Sequence, residues 1–98
     1  MNPLRIEWDE NKRRENLKKH GVSFEEAETV FVDENALLIH DPDHSDEEDR
    51  FIILGLSFRL RILLVCHCYR GNEDTIRIIS ARKATRKEQE QYWERQRP

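Results

Sequence analysis

Three apolar stretches, "RFIILGL" (50–56), "LRILLVCHCY" (60–69) and "TIRIISA" (75–81), are separated only by "SFR" and "RGNED". A parallel pairing needs a crossover of a dozen or more residues, so connections this short make the strands antiparallel neighbours. "ALLIH" (36–40) is a further strand candidate ahead of them, and "RIEWD" (5–9) is a short one near the start.

Helical segments flank this meander. Asp9 stands where an N-cap belongs, and Gly21 can take the left-handed conformation that ends a helix, so a first helix is expected over about 10–20. Leu17 is its one evident apolar anchor. "SFEE" (23–26) reads as a capping box, with Ser23 as cap and Glu26 reaching back. The helix behind it sets Phe24, Ala27, Val30 and Phe31 on one face. "TRKE" (85–88) is a second box, capped by Thr85, that opens a last helix to about Gln96 carrying Tyr92 and Trp93. The expected order is β-α-α-β-β-β-β-α in a single α+β domain over 1–98. Helices packed on one side of the sheet would leave its other face partly open.

Alternation divides the long strand into two faces. Leu60, Ile62, Leu64, Cys66 and Cys68 form a uniformly apolar or thiol set, expected under the helices. Arg61, Leu63, Val65, His67 and Tyr69 form the set expected to face water. In the next strand, Arg77 and Arg82 are five apart. An odd offset sends side chains to opposite faces unless the strand bends or ends between them. The expectation is that Arg77 points to the open face, and that Arg82 is re-aimed toward it where the strand gives way to the helix capped by Thr85.

Charge narrows the partners. Of the 98 residues, 38% are charged and the formal net charge is −3, which weighs against a general nucleic-acid coat. The excess acid is local, however: "DPDHSDEED" (41–49) holds carboxylates and no Lys or Arg, whereas 50–86 is basic, so a basic face remains available. A calcium loop is rejected, because Asp46 stands where the EF-hand pattern needs glycine. No phosphate-cradling or nucleophile-elbow motif is present. Cys66 and Cys68 have no partners in zinc-ligand spacing and read as small core residues, so no metal or cofactor is expected. No apolar segment follows Met1 as a signal peptide would require, and no run is long enough to span a bilayer; a reducing cytoplasm is the simplest compartment.

Several side chains could carry chemistry. His67 could act as a general acid or base, or be a half-buried structural histidine. Arg77 could pair with a neighbouring carboxylate or hold a phosphate. Arg82, beside a helix N-terminus, suits an anion. Lys12, Asn16 and His20 recur every four residues with Lys19 nearby, either as a solvated helix face or as donors tracking a phosphate backbone.

The order of "EWDENK", "NLKKHGVSFEEAETVF", "DPDHSDEEDRFIILG" and "IRIISARKATRKEQEQY" resembles the BrnT family of type II toxin–antitoxin systems, most specifically in "KHGVSFEEA" (19–27) and "RIISAR" (77–82). The resemblance implies a RelE-like, mostly antiparallel sheet with two N-terminal helices and one C-terminal helix. It implies a ribonuclease that inhibits translation, bound by a BrnA-type antitoxin that reaches operator DNA itself. "RIISAR" carries Arg77 and Arg82 into the expected active site, "KHG" carries Lys19, His20 and Gly21, and the family's late-strand histidine corresponds to His67. His67, Arg77, Arg82 and His20 are therefore the catalytic candidates. Lys12, Lys19, Arg59, Arg61, Lys83 and Tyr92 are the RNA-binding candidates. Between Gly55 and Arg61, where the family often has small polar residues, this chain has "LSFRL". Metal-independent cleavage is the implied chemistry; the competing reading is a non-catalytic module that acts as corepressor with a DNA-binding partner.

Overall fold

The computed structural model describes residues 5–41, 49–72 and 74–96. Strand β1 (Arg5–Trp8) leads into helices α1 (Glu10–His20) and α2 (Phe24–Thr29) and a 3-10 turn (Val30–Val32). Strands β2 (Leu37–Asp41), β3 (Arg50–Leu56), β4 (Ile62–Arg70) and β5 (Thr75–Lys83) follow, and α3 (Arg86–Arg95) comes last. The element order matches the sequence expectation. The acidic segment lies outside the described residues except at its ends, Asp41 and Asp49.

The sheet runs β1-β5-β4-β3-β2. β2 to β5 form the antiparallel meander, and β1 adds to the β5 edge in parallel. On one face Leu63, Val65, Ile76, Ile78 and Ala81 pack against Val22, Phe24, Ala27 and Val30 of the α1–α2 layer. This reverses the expected assignment of β4, since the odd-numbered set lies under the helices and the Leu64–Cys66–Cys68 set faces away. β4 is a central strand with apolar residues on both sides, so alternation separates its faces without saying which one the helices cover. The second face is not left wholly open either. Tyr92 of α3 packs there with Leu54, Ile62 and Ala84, against Leu37, Leu56 and Leu64. Helices therefore lie on both faces, with α3 confined to one end.

The helix boundaries follow their caps. Asp9 accepts from the Asn11 N–H, and Gly21, at φ 68°, closes α1 by donating to the Leu17 carbonyl at 2.9 Å. α1 does not anchor through Leu17, which is 46% exposed, but through Asn16, which is 7% exposed. β1 pairs only with Thr75–Ile78, so beyond Ile78 the β5 edge has no strand beside it. Asn16 fills that place. Its Oδ1 accepts from the Ala81 N–H at 3.0 Å, and its Nδ2 donates to the carbonyls of Ala81 at 2.8 Å and Val22 at 2.9 Å. One side-chain amide thus substitutes for a strand, because buried backbone groups must be paired.

Ser23 caps α2 through the Glu26 N–H, but the Glu26 side chain does not complete the expected box. It is buried and turns instead to the β3–β4 hairpin, accepting from Ser57 Oγ at 2.6 Å and from the Arg61 guanidinium. In that hairpin the Leu60 N–H donates to the Ser57 carbonyl and the Ser57 N–H to the Arg61 carbonyl, both at 2.8 Å. Leu60 occupies the left-handed region at φ 62°, where hairpins of this type usually place glycine, at a cost of roughly 1–2 kcal/mol.

Candidate functional site

The odd spacing of the two arginines is resolved inside β5. His67 pairs with Ile78 and Cys66 with Ser80, leaving Ile79 as an unpaired extra residue. This β-bulge shifts the alternation by one, as bulges do where a strand must re-aim a side chain. Arg77 then stands opposite Cys68 and Arg82 opposite Leu64, and these two β4 residues share a face. Both arginines therefore lie on the face away from α1 and α2, with Ser80 between them. The strand does not yield before Arg82, as expected from the sequence, but continues to Lys83.

Each arginine meets a carboxylate from a flanking element. Arg77 pairs with Glu7, its register partner on β1. Arg82 makes a bidentate pair with Glu88, at 2.8 and 3.0 Å, the geometry that suits a guanidinium best. Glu88 also completes the capping box of α3, its carboxylate accepting from the Thr85 N–H at 2.8 Å while Thr85 Oγ1 accepts from the Glu88 N–H. The Arg82 hydrogen bonds, with help from the Thr85 N–H, hold the Glu88 carboxyl down to about 2.

α1 brings its basic row to the edge of this face. Lys12, Asn16, Lys19 and His20 line a shallow groove of about 220 Å³ with Glu15 and with Ile79 and Ser80 of the bulge. Burial pushes the Cys66 thiol up, against the nearby charges of Arg50 and Lys12, which favours the protonated thiol over the nucleophilic thiolate. Lys12, Lys19 and His20 thus lie beside the bulge that sets Arg77 and Arg82 on one face. A guanidinium fork that pairs with a carboxylate also fits two oxygens of a tetrahedral phosphate.

The remaining candidates lie elsewhere. His67, expected on the open face, is fully buried on the helix side between Phe31, Phe51 and Tyr69, with its ring 4.8 Å from that of Phe31. Burial pushes its imidazole down to about 4. Arg61 is held by Glu26, and exposed Arg59 lies 4.0 Å from the same carboxylate. Tyr92, expected at the RNA surface, is 2% exposed and donates to Asp33 Oδ2 at 2.6 Å; burial and that hydrogen bond push its hydroxyl up to about 12. Lys83 is exposed at the end of β5. Sequence reasoning missed Glu7, because its partner follows only from the parallel β1–β5 register. It read Glu88 as a cap alone, although a carboxylate six residues after Arg82 in the first turn of the next helix was a usable signal. Among the described residues, no three His, Cys, Asp or Glu side chains cluster as metal ligands, and no helix is long and apolar enough to cross a membrane.

Residues 8–88 match the family described as ribonuclease toxin, BrnT, of type II toxin–antitoxin system. The chain belongs to the BrnT family. The matched span contains the basic row of α1, the bulged strand and Glu88. The crystal structure of the Brucella abortus ribonuclease toxin, BrnT, is similar at a TM-score of 0.64 and 28% identity, covering 85% of this chain and 99% of that chain. No curated protein sequence matches the chain. As a BrnT-family ribonuclease toxin of a type II system, the chain has RNA as its substrate and an antitoxin as its partner.

Proposed function

We propose that RNA is cut on the face that carries Arg77 and Arg82, without a metal ion, and that translation is thereby inhibited. The observation that carries this reading is the bulge at Ile79, which turns two arginines at an odd spacing onto one face beside the basic edge of α1. The 2′-hydroxyl of one nucleotide attacks the adjacent phosphorus. The bond to the 5′-oxygen of the next nucleotide breaks, leaving a 2′,3′-cyclic phosphate and, once that oxygen takes up a proton, a 5′-hydroxyl. His20, in the groove beside Ser80, is assigned as the acceptor of the 2′-hydroxyl proton, since an imidazole nitrogen can take up a proton and buried His67 has no route to substrate. Arg77 and Arg82 hold the phosphate and stabilise the charge that develops on it. Lys12 and Lys19 follow the flanking backbone. The partner is a BrnA-type, DNA-binding antitoxin that represses the shared operon, and the toxin works in the cytoplasm.

Arg82→Ala, expressed in growing cells at levels matched to the wild type, relieves growth arrest, and the purified variant cleaves a defined RNA on the order of a hundredfold more slowly in the presence of EDTA. Undiminished arrest rejects the assignment. Failure of the wild type to cleave any RNA, free or ribosome-bound, favours a non-catalytic corepressor.

A further inference from the structure

The tip of the β3–β4 hairpin turns apolar side chains outward. Phe58 and Leu60 are 68% and 79% exposed, and Leu60 is held in a left-handed conformation that disfavours any β-carbon. Glycine would remove that strain, and the exposed leucine buries nothing in return. Strain that the fold does not use points to a use outside it. The tip is also fastened: the Phe58 N–H donates to Thr29 Oγ1 at 3.0 Å, and Arg61 is anchored on Glu26. Leu60 shares a groove of about 290 Å³ with Trp93 of α3, together with Ile62, Lys83 and Gln89. Trp93 is 51% exposed, and its ring is set by edge contact with Tyr92, centroids 5.0 Å apart at 84°. Tyr92 in turn is buried and tied to Asp33. The groove therefore has a half-exposed indole on a fixed support.

Its position matters as much as its lining. Lys83 and Gln89 of the groove are the chain neighbours of Arg82 and Glu88, which form the bidentate pair. Its volume lies just below the range of about 300–1,000 Å³ typical of drug-sized ligands, which suits one planar ring better than a helix of a partner protein. Trp, Lys and Gln are also the groups that recognise unpaired nucleotides, by stacking, by phosphate attraction and by hydrogen bonds to a base edge.

We infer that this groove is a nucleobase subsite, in which one unpaired base of the RNA substrate stacks on Trp93 against Leu60, next to the phosphate held by Arg82. The inference rests on the reading of Arg82 as a phosphate ligand. It makes Trp93 a specificity-determining residue, with Lys83 on the adjoining backbone and Gln89, whose Nε2 donates to the Ala84 carbonyl at 3.2 Å, offering its amide oxygen to the base edge.

The test uses the full chain and short single-stranded RNAs made uncleavable by 2′-O-methyl groups, each with one abasic position. Wild type loses affinity when one particular base is absent. Trp93→Ala weakens binding of the intact RNA roughly five- to hundredfold and abolishes that position dependence, while Trp93→Phe retains it. Leu60→Gly keeps the fold and diminishes the same dependence. Equal binding by wild type and Trp93→Ala overturns the inference, as does a Trp93→Ala variant that binds RNA normally but loses the antitoxin. Because no cleavage is involved, the readout is separate from the active-site reading: normal cleavage by Arg82→Ala with intact base dependence rejects only the role of Arg82.

Discussion

At the scale of single residues, two buried polar side chains have opposite effects on stability. Asn16 holds three backbone groups, two on Ala81 and one on Val22. Asn16→Ala removes these buried hydrogen bonds, and is expected to cost about 2–4 kcal/mol in urea denaturation. Faster amide exchange at Ala81 than in the rest of β5 would locate the loss. His67 is held neutral: burial lowers its pKa from 6.5 to about 4, so the unfolded chain binds its proton first. Between these values the unfolded state carries more protons, and stability falls as pH is lowered from 6.5 toward 4, by on the order of 3 kcal/mol. His67→Gln should flatten that stretch of the stability–pH curve whatever its effect on stability at pH 8. An unchanged slope would mean that other groups titrate there.

At the scale of elements, Glu88 joins β5 to α3 by capping the helix and clamping Arg82 at once. Its folded-state pKa lies below its unfolded value, so its contribution is present above about 4.5 and is lost as pH falls toward 2. Glu88→Gln keeps an acceptor for the Thr85 N–H but gives up the ion pair. The expected outcome is a loss of about 1 kcal/mol in thermal or urea unfolding, with a larger fall in kcat than in substrate affinity as Arg82 loses its fixed orientation. The elements themselves were readable, since turns, caps and period-two alternation all agreed. The odd Arg77–Arg82 spacing even announced a break in β5. What alternation could not supply was the side on which the helices lie, because Leu63 and Leu64 are equally apolar. Nor could it choose between Tyr92 and Trp93, adjacent aromatics of which only one can face the sheet. Asn16 was hidden in a row of polar residues, because its main partner, Ala81, belongs to a strand 65 positions further on.

At the scale of the whole molecule, the two faces of the sheet have different work. The α1–α2 side is a closed core containing His67, and the other is capped by α3 at one end and lined with arginines beyond it. A chain with a formal charge of −3 can therefore still bind RNA through a local basic face. For single-stranded RNA, each phosphate contact contributes about 0.7 to the slope of log K against log salt. Arg77→Ala and Arg82→Ala should each reduce that slope by about 0.7, and the double variant by about 1.4, as measured by fluorescence anisotropy from 50 to 300 mM salt, roughly the range over which such effects resolve. The link between Asn16 and Ala81 has a further consequence, for the order of events during synthesis. α1 leaves the ribosome early, but its lysines and histidine have no fixed place until β5 has emerged to receive Asn16, and β5 also brings both arginines. A nascent chain that stops short of this strand lacks both arginines and the backbone that receives Asn16, so the site proposed above is assembled only once β5 is complete.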